Sequence, residues 1–598
     1  MNNVIGDSLK TDGKKFWTYV KNQKRDSVGI PTLKKDETLY FTSDQKADAL
    51  NRQFSSAFTQ DDADANPLPC MGPCPYTPIA DLEIGLNGIV KQLKQLKANK
   101  ASGPDEITSR VLKEYAEDLS PILTHLFQQS YHTGILPRDW KRARVAGIYK
   151  SGVKSDPANY RPISLTCICC KVMEHVVLSH VSKHLADNDV LIDKQHGFRE
   201  KLSCETQLVE AVDDWSQAIN EKRQTDVLFL DFSKAFDRVS HRKLLHKLTY
   251  YGIQGNTHHW ISAFLTGRSQ QVSVNGSASP PSSVLSGVPQ GSVLGPMLFL
   301  LYVNDITTNV NSSMRLFADD SVIYRTICGP DDQERLQEDL QKVFQWAETW
   351  SMAFNISKCA HLSITLKRRP YLFNYSVNEQ VLPQKKTYKY LGVTVRDDLR
   401  WNTHVEALRS KASRTMGILR RNLGSCSKKV RETAYKTLVR PQLEYSSCAW
   451  NPHKRRNTNL LEGIQRQAAR FVTQDFRRTS SVSDMISLLA WNTLEQRRIF
   501  AQCGMFFKIH KNMVNIPLTP GIHPVLHQRE LRGHTTHPFI FHQLPCRVDC
   551  YKYSFFPRVI PIWNRLPAVA VTSSSIAGFQ TSAVPSIIAM MGMPTRAL

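Results

Sequence analysis

Leu316-Phe317-Ala318-Asp319-Asp320-Ser321-Val322-Ile323-Tyr324 sets two adjacent carboxylates at the crest between two apolar, β-prone runs. The pattern predicts a hairpin with an acidic tip. Burying unpaired negative charge there would cost several kcal/mol unless a cation arrives, so the tip reads as a divalent-metal site. Upstream, Val227-Leu228-Phe229-Leu230-Asp231-Phe232-Ser233-Lys234-Ala235-Phe236-Asp237 is a second apolar run that stops abruptly on a carboxylate. Two strands each delivering a carboxylate to one point would make a two-metal phosphoryl-transfer centre.

The rest of the chain supplies a setting for such a centre. Its 598 residues, 41% of them apolar, are enough for several packed units. Lys and Arg number 77 against 53 Asp and Glu, and the net charge of +24 predicts a polyanionic partner, nucleic acid ahead of an anionic membrane. Half of that excess falls between Arg396 and Arg478, where nineteen Lys and Arg face seven Asp and Glu. Thirteen cysteines, an odd number spread over a long chain, suit free thiols in a reducing compartment. The start, Met1-Asn2-Asn3-Val4-Ile5-Gly6-Asp7, lacks the order of a signal peptide, and the most apolar run, Val293 to Val303, is short and holds Gly295 and Pro296. No membrane span is expected.

Composition divides the chain into five parts. Residues 1–58 read as helical, with Phe16-Trp17 in a basic segment and Ala47, Leu50, Phe54 and Phe58 on one face after a capping-box-like Thr42-Ser43-Asp44-Gln45. Residues 59–80 hold Asp61, Asp62 and Asp64 and then five prolines, which suits an extended linker. From 81 to 395 short β-prone runs interleave with amphipathic helices, predicting an α+β domain. From 396 to 500 the pattern turns helical, with Val405, Leu408, Ala412, Met416 and Leu419 on one face and Leu460, Ile464, Ala468 and Phe471 on another. Residues 501–598 are rich in His and Pro, and their fold is not legible.

One further motif carries chemistry. Ser286-Gly287-Val288-Pro289-Gln290-Gly291-Ser292-Val293-Leu294-Gly295-Pro296 combines glycines and prolines that allow close backbone approach just before an apolar helix. In isolation the same pattern also suits an ordinary turn into a buried helix.

Taken in order, the Asp231 strand, the Gly287-Val288-Pro289-Gln290-Gly291 turn and the Phe317-Ala318-Asp319-Asp320 hairpin resemble the reverse transcriptase domain of right-hand polymerases. Ala98-Asn99-Lys100-Ala101-Ser102-Gly103-Pro104-Asp105, Asn159-Tyr160-Arg161-Pro162-Ile163-Ser164-Leu165, Gln195-His196-Gly197-Phe198-Arg199 and Asp231 to Asp237 narrow the resemblance to LINE-type non-LTR retrotransposons of the Jockey superfamily. Lys389-Tyr390-Leu391-Gly392-Val393, Phe555-Phe556-Pro557-Arg558 and Trp563-Asn564-Arg565-Leu566-Pro567 extend it along nearly the whole chain.

The resemblance implies fingers and palm, an antiparallel sheet with helices, over 81–395 and a basic helical thumb over 396–500. It implies an RNA-directed DNA polymerase that extends a DNA primer 3′ end on an RNA template with deoxynucleoside triphosphates. Asp231, Asp319 and Asp320 are then the catalytic residues and the ligands of two Mg²⁺ ions. Lys150 and Arg161 would meet the incoming triphosphate. Phe236 would gate the ribose 2′-hydroxyl, and Gln290 and Gly291 would lie under the nascent base pair. Trp401, Arg420, Arg421, Lys454, Arg455 and Arg456 would grip the template-primer duplex through its phosphates.

Zinc is not expected, because Cys546 and Cys550 with His534, His537 and His542 lack the Cys, Cys, His, Cys order of a retrotransposon knuckle. The eighty or so residues before the first polymerase-like segment leave no room for the family's endonuclease, so nicking is expected from a partner or from a missing N-terminal region. Genomic insertion implies an intracellular protein with access to the nucleus. Two other readings stay open: a catalytically inactive RNA-binding relic, and an intron-maturase reverse transcriptase.

Overall fold

The computed structural model describes residues 29–60, 67–518, 521–525 and 537–592. Phe16-Trp17, the linker acids Asp61, Asp62 and Asp64, and His534 lie outside the described residues.

The first described elements depart from the helical expectation. Strands β1 (Leu33–Lys35) and β2 (Thr38–Tyr40) pair antiparallel around Asp36-Glu37, both at left-handed φ of 47° and 67°. Strands of three residues are too short to show a period, so the hairpin left no signal in the sequence. Helix α1 (Ser43–Ser55) then begins as expected, with Thr42 at the N-cap and a capping box closed by Gln45. Its Ala47, Leu50 and Phe54 pack on Val145, Tyr160 and Val272. Residues 67–80 hold no helix or strand.

Two sheets follow. Strands β3 (Arg142–Tyr149) and β4 (Tyr160–Leu165) precede two long helices, α2 (Ile168–Asp187) and α3 (Cys204–Asn220), and then β5 (Gln224–Asp231). Strands β6 (Arg268–Val274), β7 (Ser277–Ala278) and β8 (Ser282–Val284) complete a five-stranded sheet of order β4-β3-β6-β7, with β8 also on β6 and only the β3–β6 pair parallel. After α4 (Gly295–Val303), strands β9 (Ser313–Phe317) and β10 (Asp320–Ile327), helix α5 (Pro330–Thr349) and strand β11 (Ala360–Ile364) build the central antiparallel sheet, order β11-β5-β10-β9. Two small hairpins close this half, β12 (Ser376–Val377) with β13 (Gln380–Val381) and β14 (Thr387–Tyr390) with β15 (Val393–Arg396).

The central sheet is covered on both faces, which explains why β5 reads as an unbroken apolar run. Leu228, Leu230 and Ile323 face a core shared with α2, α4 and α5. Val227, Phe229, Val322 and Tyr324 face a second core, built with α3 and the helices that follow residue 401. Those helices include α6 (Asn402–Leu423), α7 (Arg455–Thr473), α8 (Leu494–His510), α9 (Phe555–Trp563) and α10 (Ile576–Met590). Val405, Ala412, Met416 and Leu419 of α6 and Ile464, Ala468 and Phe471 of α7 are buried, as their periodicity predicts, with Leu408 and Leu460 at the margin of the same core.

The division at 500 falls inside α8, which runs through it without a break. Residues beyond 500, illegible in the sequence, supply α9 and α10, with Trp563 edge-on to Phe506 at 4.9 Å and Phe579 stacked on Phe507 at 4.5 Å. No described helix is long and apolar enough to cross a membrane.

Candidate active site

Register brings the two acidic strand ends together. Asp320, the first residue of β10, lies directly opposite Asp231, the last of β5, and Asp319 occupies the tip of the β9–β10 hairpin. Directly opposed residues in an antiparallel pair stand about 4.5–5.5 Å apart at Cα. Ala318 turns the tip at φ 55°, a left-handed conformation a side chain resists. It is held from below: the Gln195 side-chain oxygen accepts from the N–H groups of both Ala318, at 2.9 Å, and Gly197, at 2.8 Å. A Cβ on Gly197 would stand 2.4 Å from the Ala318 nitrogen, so glycine is needed for this close approach. The Gln195-His196-Gly197 stretch is thus the seat of the acidic hairpin.

The tip is electrostatically tense. Partial burial and the neighbouring Asp231 push the Asp319 carboxyl above its ordinary range. Asp320 is pushed up to about 6, by loss of water and then by repulsion from Asp319 and Asp231. Lys358 answers this charge, its Nζ donating to Asp231 Oδ2 at 3.2 Å. The turn before Lys358 also fixes the strand end, because the Asn355 N–H donates to the Asp231 carbonyl at 2.7 Å. Lys150 lies close by, its ammonium pushed below the ordinary lysine range by burial and by repulsion from Arg161 and Lys358.

These groups meet at a cavity of about 520 Å³. Asp231, Asp319, Lys150, Arg161, Phe236, Gln290 and Gly291 all line it, together with Lys358. Phe236 is pinned as part of the wall, stacked on Phe299 of α4 with centroids 4.5 Å apart and met edge-on by Phe198 at 6.3 Å. Gly291 adopts φ 117°, and a Cβ there would stand 2.6 Å from the Ser164 carbonyl oxygen. The loop is tied to β4 at the same point, where the Ser164 N–H donates to the Gln290 carbonyl at 2.7 Å.

Two of these residues make further contacts. The Gln290 amide, expected to meet a base, donates to Asp237 Oδ1 at 2.9 Å. Burial pushes that Asp237 carboxyl up to about 6. Asp320, opposite Asp231 and repelled by both other aspartates, also lines a neighbouring cavity of about 140 Å³ with Tyr388, Lys389, Tyr390, Leu391 and Gly392. Cross-strand pairing sends the Asp320 and Asp231 side chains to the Phe229 face, where Tyr388 stacks on Phe229 at 4.0 Å.

The donors fit a hard cation. Among the described residues no three His, Cys, Asp or Glu side chains form a ready-made cage. The cavity instead offers two carboxylates, and Mg²⁺ is characteristically held by one or two carboxylates with substrate phosphates completing its shell. The raised carboxyls of Asp319 and Asp320 show that added positive charge would be welcome here.

The basic residues after 400 gather elsewhere. Trp401 and Lys454 line another cavity, while Arg455 pairs with Glu495 at 3.5 Å and Arg456 with Glu406 at 3.9 Å. Arg420 donates to the Gln467 carbonyl at 3.4 Å, and Arg421 is its neighbour in the last turn of α6. The Arg420-Arg421 pair is thus some eighteen residues from the start of α6, about 27 Å at 1.5 Å per residue. None of these six lines the acidic cavity. Of the candidate zinc residues, Cys546 is exposed and His537 Nε2 meets the Trp563 carbonyl at 2.9 Å.

Sequence reasoning passed over Lys358, Asp237 and Tyr388 and gave Gln195 no role. Lys358 had the best signal: it closes the turn that leads into β11, the strand beside β5.

Comparison with known proteins agrees with this geometry. Residues 148–395, from the end of β3 to β15, match the family model described as reverse transcriptase (RNA-dependent DNA polymerase). Over 417 residues, 67% of the chain, it is 31% identical to the Drosophila melanogaster protein named "Probable RNA-directed DNA polymerase from transposon X-element", covering 44% of that protein. It is 26% identical over 492 residues to "Probable RNA-directed DNA polymerase from transposon BS" of the same fly, 77% of this chain and 53% of that one. To "RNA-directed DNA polymerase from mobile element jockey", also from Drosophila melanogaster, it is 28% identical over 407 residues, 65% of this chain and 44% of the other. The chain spans about half the length of these relatives. Residues 148–395 are therefore a reverse transcriptase domain, and the chain that carries it is a relative of the non-LTR retrotransposon polymerases.

Proposed function

We propose that this chain is an RNA-directed DNA polymerase of a non-LTR retrotransposon, extending a DNA 3′ end on an RNA template. The observation that carries the reading is the pairing of Asp231 with Asp320 across β5 and β10, which sets Asp319 and Asp231 on the wall of one basic, aromatic-lined cavity.

Asp231 and Asp319, with Asp320 beside them, would hold two Mg²⁺ ions, which when bound supply Lewis-acid activation of the primer hydroxyl and charge neutralisation on the leaving pyrophosphate. Lys150 and Arg161 bind the triphosphate oxygens, the first as a point charge and the second as a planar fork. The repulsion that lowers the Lys150 pKa is relieved when that anion enters between them. Phe236, fixed by Phe299, excludes a ribose 2′-hydroxyl. Gln290 and Gly291 form the floor beneath the nascent pair, with the Gln290 amide oriented by Asp237. Asp320, on the Phe229 face with Tyr388, adds a third negative charge beside Asp231 and Asp319. Arg420, Arg421, Arg455 and Arg456 of α6 and α7 hold the phosphates of the template-primer through contacts weakened by salt. Use of a genomic primer would require access to the nucleus.

The test is primer extension on poly(rA)/oligo(dT) with Mg²⁺. Wild-type protein incorporates deoxynucleotides, and Asp319→Ala loses incorporation by about 100–1,000-fold or more, the scale of removing a principal electrostatic group from a catalytic centre. Tight RNA binding with no synthesis by the wild type would sink the polymerase reading and mark an RNA-binding protein instead.

A further inference from the structure

A second cavity, of about 340 Å³, lies in the carboxy-terminal half between the start of α6, the Asn451–Asn457 segment and the Arg547–Tyr553 segment. It shares no lining residue with the acidic cavity. We propose that it binds one unpaired nucleotide of a single-stranded nucleic acid, the base against Trp401, His453 and Tyr553 and the phosphate against Arg400, Lys454 and Arg547. The proposal rests on the polymerase reading, because it gives that enzyme a grip on the strand away from the reacting end.

Three features of the lining point to this ligand. The first is an aromatic stack: His453 lies face to face on Tyr553 with centroids 4.3 Å apart and planes within 10°, a pair that a base can extend on its outer face, and Trp401 also lines the cavity. Burial holds His453 below the ordinary imidazole range, so its ring stacks uncharged. Aromatic platforms of this kind take any base, because every base has a π-face.

The second is charge. Arg400, Lys454 and Arg547 line the cavity against two carboxylates, Asp398 and Asp549. Asp398 is already met by Arg396 at 3.0 Å and by Arg400 at 3.5 Å. Helices α6 and α7 also begin here, after Trp401 and Lys454, and neither has a side-chain N-cap or an acid in its first turn. Their first turns abut, with Asn457 Nδ2 donating to Asn402 Oδ1 at 2.7 Å, so the positive ends of two long helices add to the potential around the cations.

The third is size and rigidity. A cavity of this volume suits a small ligand and is far too small for a duplex, so the occupant is a single unpaired residue. Its walls are tied before any ligand arrives. Asn220 of α3 accepts from the Arg547 N–H at 2.7 Å and donates to the Pro545 carbonyl at 3.1 Å. Arg558 donates to the Asn451 carbonyl and Arg498 to its side-chain oxygen, both at 2.9 Å.

The experiment measures binding by the full chain of fluorescent twelve-nucleotide oligo(U) RNA and of its oligo(dT) counterpart at fixed salt. Tyr553→Ala and Arg547→Ala should each weaken binding about tenfold, the scale of one lost base stack or phosphate contact, and Tyr553→Phe should restore it. Loss confined to RNA assigns the strand as RNA, and equal loss on both probes assigns any single strand. Wild-type affinity in folded Tyr553→Ala and Arg547→Ala proteins would overturn the proposal, whether or not wild type extends a primer. Photocrosslinking of wild type with 5-iodouridine RNA covers the case in which a variant does not fold. Crosslinks in peptides holding Trp401, His453 or Tyr553 support the site, and crosslinks found only elsewhere overturn it.

Discussion

Phe236 acts through rigidity. Its ring lies on Phe299, itself fully buried in α4, so the gate cannot swing aside without disturbing the core beneath. Phe236→Ala should lower the preference for deoxynucleotides over ribonucleotides, measured as a ratio of kcat/KM values, by about 10–200-fold, the range for a pocket that reads one small group. An unchanged ratio would remove the gating role. Asp237, one residue on, makes a pH prediction. Its carboxyl is raised by burial to about 6, so the folded state binds a proton more tightly than the unfolded chain. The stability it contributes is full below about pH 4 and is lost as pH rises through 6. Asp237→Asn should therefore be more stable than wild type at pH 8, by about 1–3 kcal/mol in unfolding free energy, with the gain vanishing near pH 4. A gain that is largest at pH 4 would reverse the sign and the explanation. Asp231 and Asp319 were legible in sequence because each ends or interrupts an apolar run, a local conflict that only a function resolves. Lys358 and Gln195 were not, since each does its work on a partner more than 120 positions away.

The Gly287–Gly291 loop earns its sequence from the two surfaces it touches. The Gly287 N–H donates to the Val239 carbonyl and the Val288 N–H to the Phe236 carbonyl, at 2.7 and 2.8 Å, while the far end is bonded to Ser164. One short segment thereby joins the β5 end to the edge strand β4, and Gly291 carries the tightest approach. Gly291→Ala meets both a backbone conformation that L-residues avoid and a carbonyl oxygen 2.6 Å from the new Cβ. The loop must shift, taking Gln290 with it. Displacement by about 1 Å can cost about 100-fold in rate, so primer extension should fall by roughly that factor while the unfolding temperature changes little. Activity at the wild-type level would show that the loop does not set the floor of the site. Elements with a long period or a strong turn were readable: the β9–β10 hairpin, the capping box of α1, and the apolar faces of α6 and α7. The β1–β2 hairpin and α9 were not, the first for brevity and the second because its Pro557 and Pro561 disguise a helix that tertiary packing secures. The basic clusters were legible as charge but not as place, because helical periodicity says which face is polar and nothing about what lies opposite it.

At the scale of the whole molecule the chain does not divide where its sequence changes character. Charge and periodicity both shift near residue 396, and the reverse transcriptase match ends at 395. The packing ignores that border. Val227, Phe229, Val322 and Tyr324 on one face of the central sheet share a core with Val405, Met416, Trp450, Phe506 and Trp563 from the helices beyond it. The arginines of α6 and the start of α7, among them Arg409, Arg414, Arg420, Arg455 and Arg456, face outward to solvent, and it was these that made the segment read as a separate unit. A fragment of residues 148–395 alone would keep α3 and the β14–β15 hairpin against that face but would open the rest of the shared core, on the sheet and on α3, to water. Each large apolar side chain so exposed costs about 1.5–3 kcal/mol, so the loss of even five or six exceeds much of the 5–15 kcal/mol that keeps a typical domain folded. We expect the fragment to lack near-ultraviolet circular dichroism, to bind a dye specific for exposed apolar surface, and to aggregate. A protein of residues 29–592 should instead unfold in one cooperative transition, followed together by tryptophan fluorescence and circular dichroism. If the 148–395 fragment gives a sharp near-ultraviolet spectrum and remains monomeric, the shared core is not what holds the acidic strands in register, and the helices after 401 are an appended module.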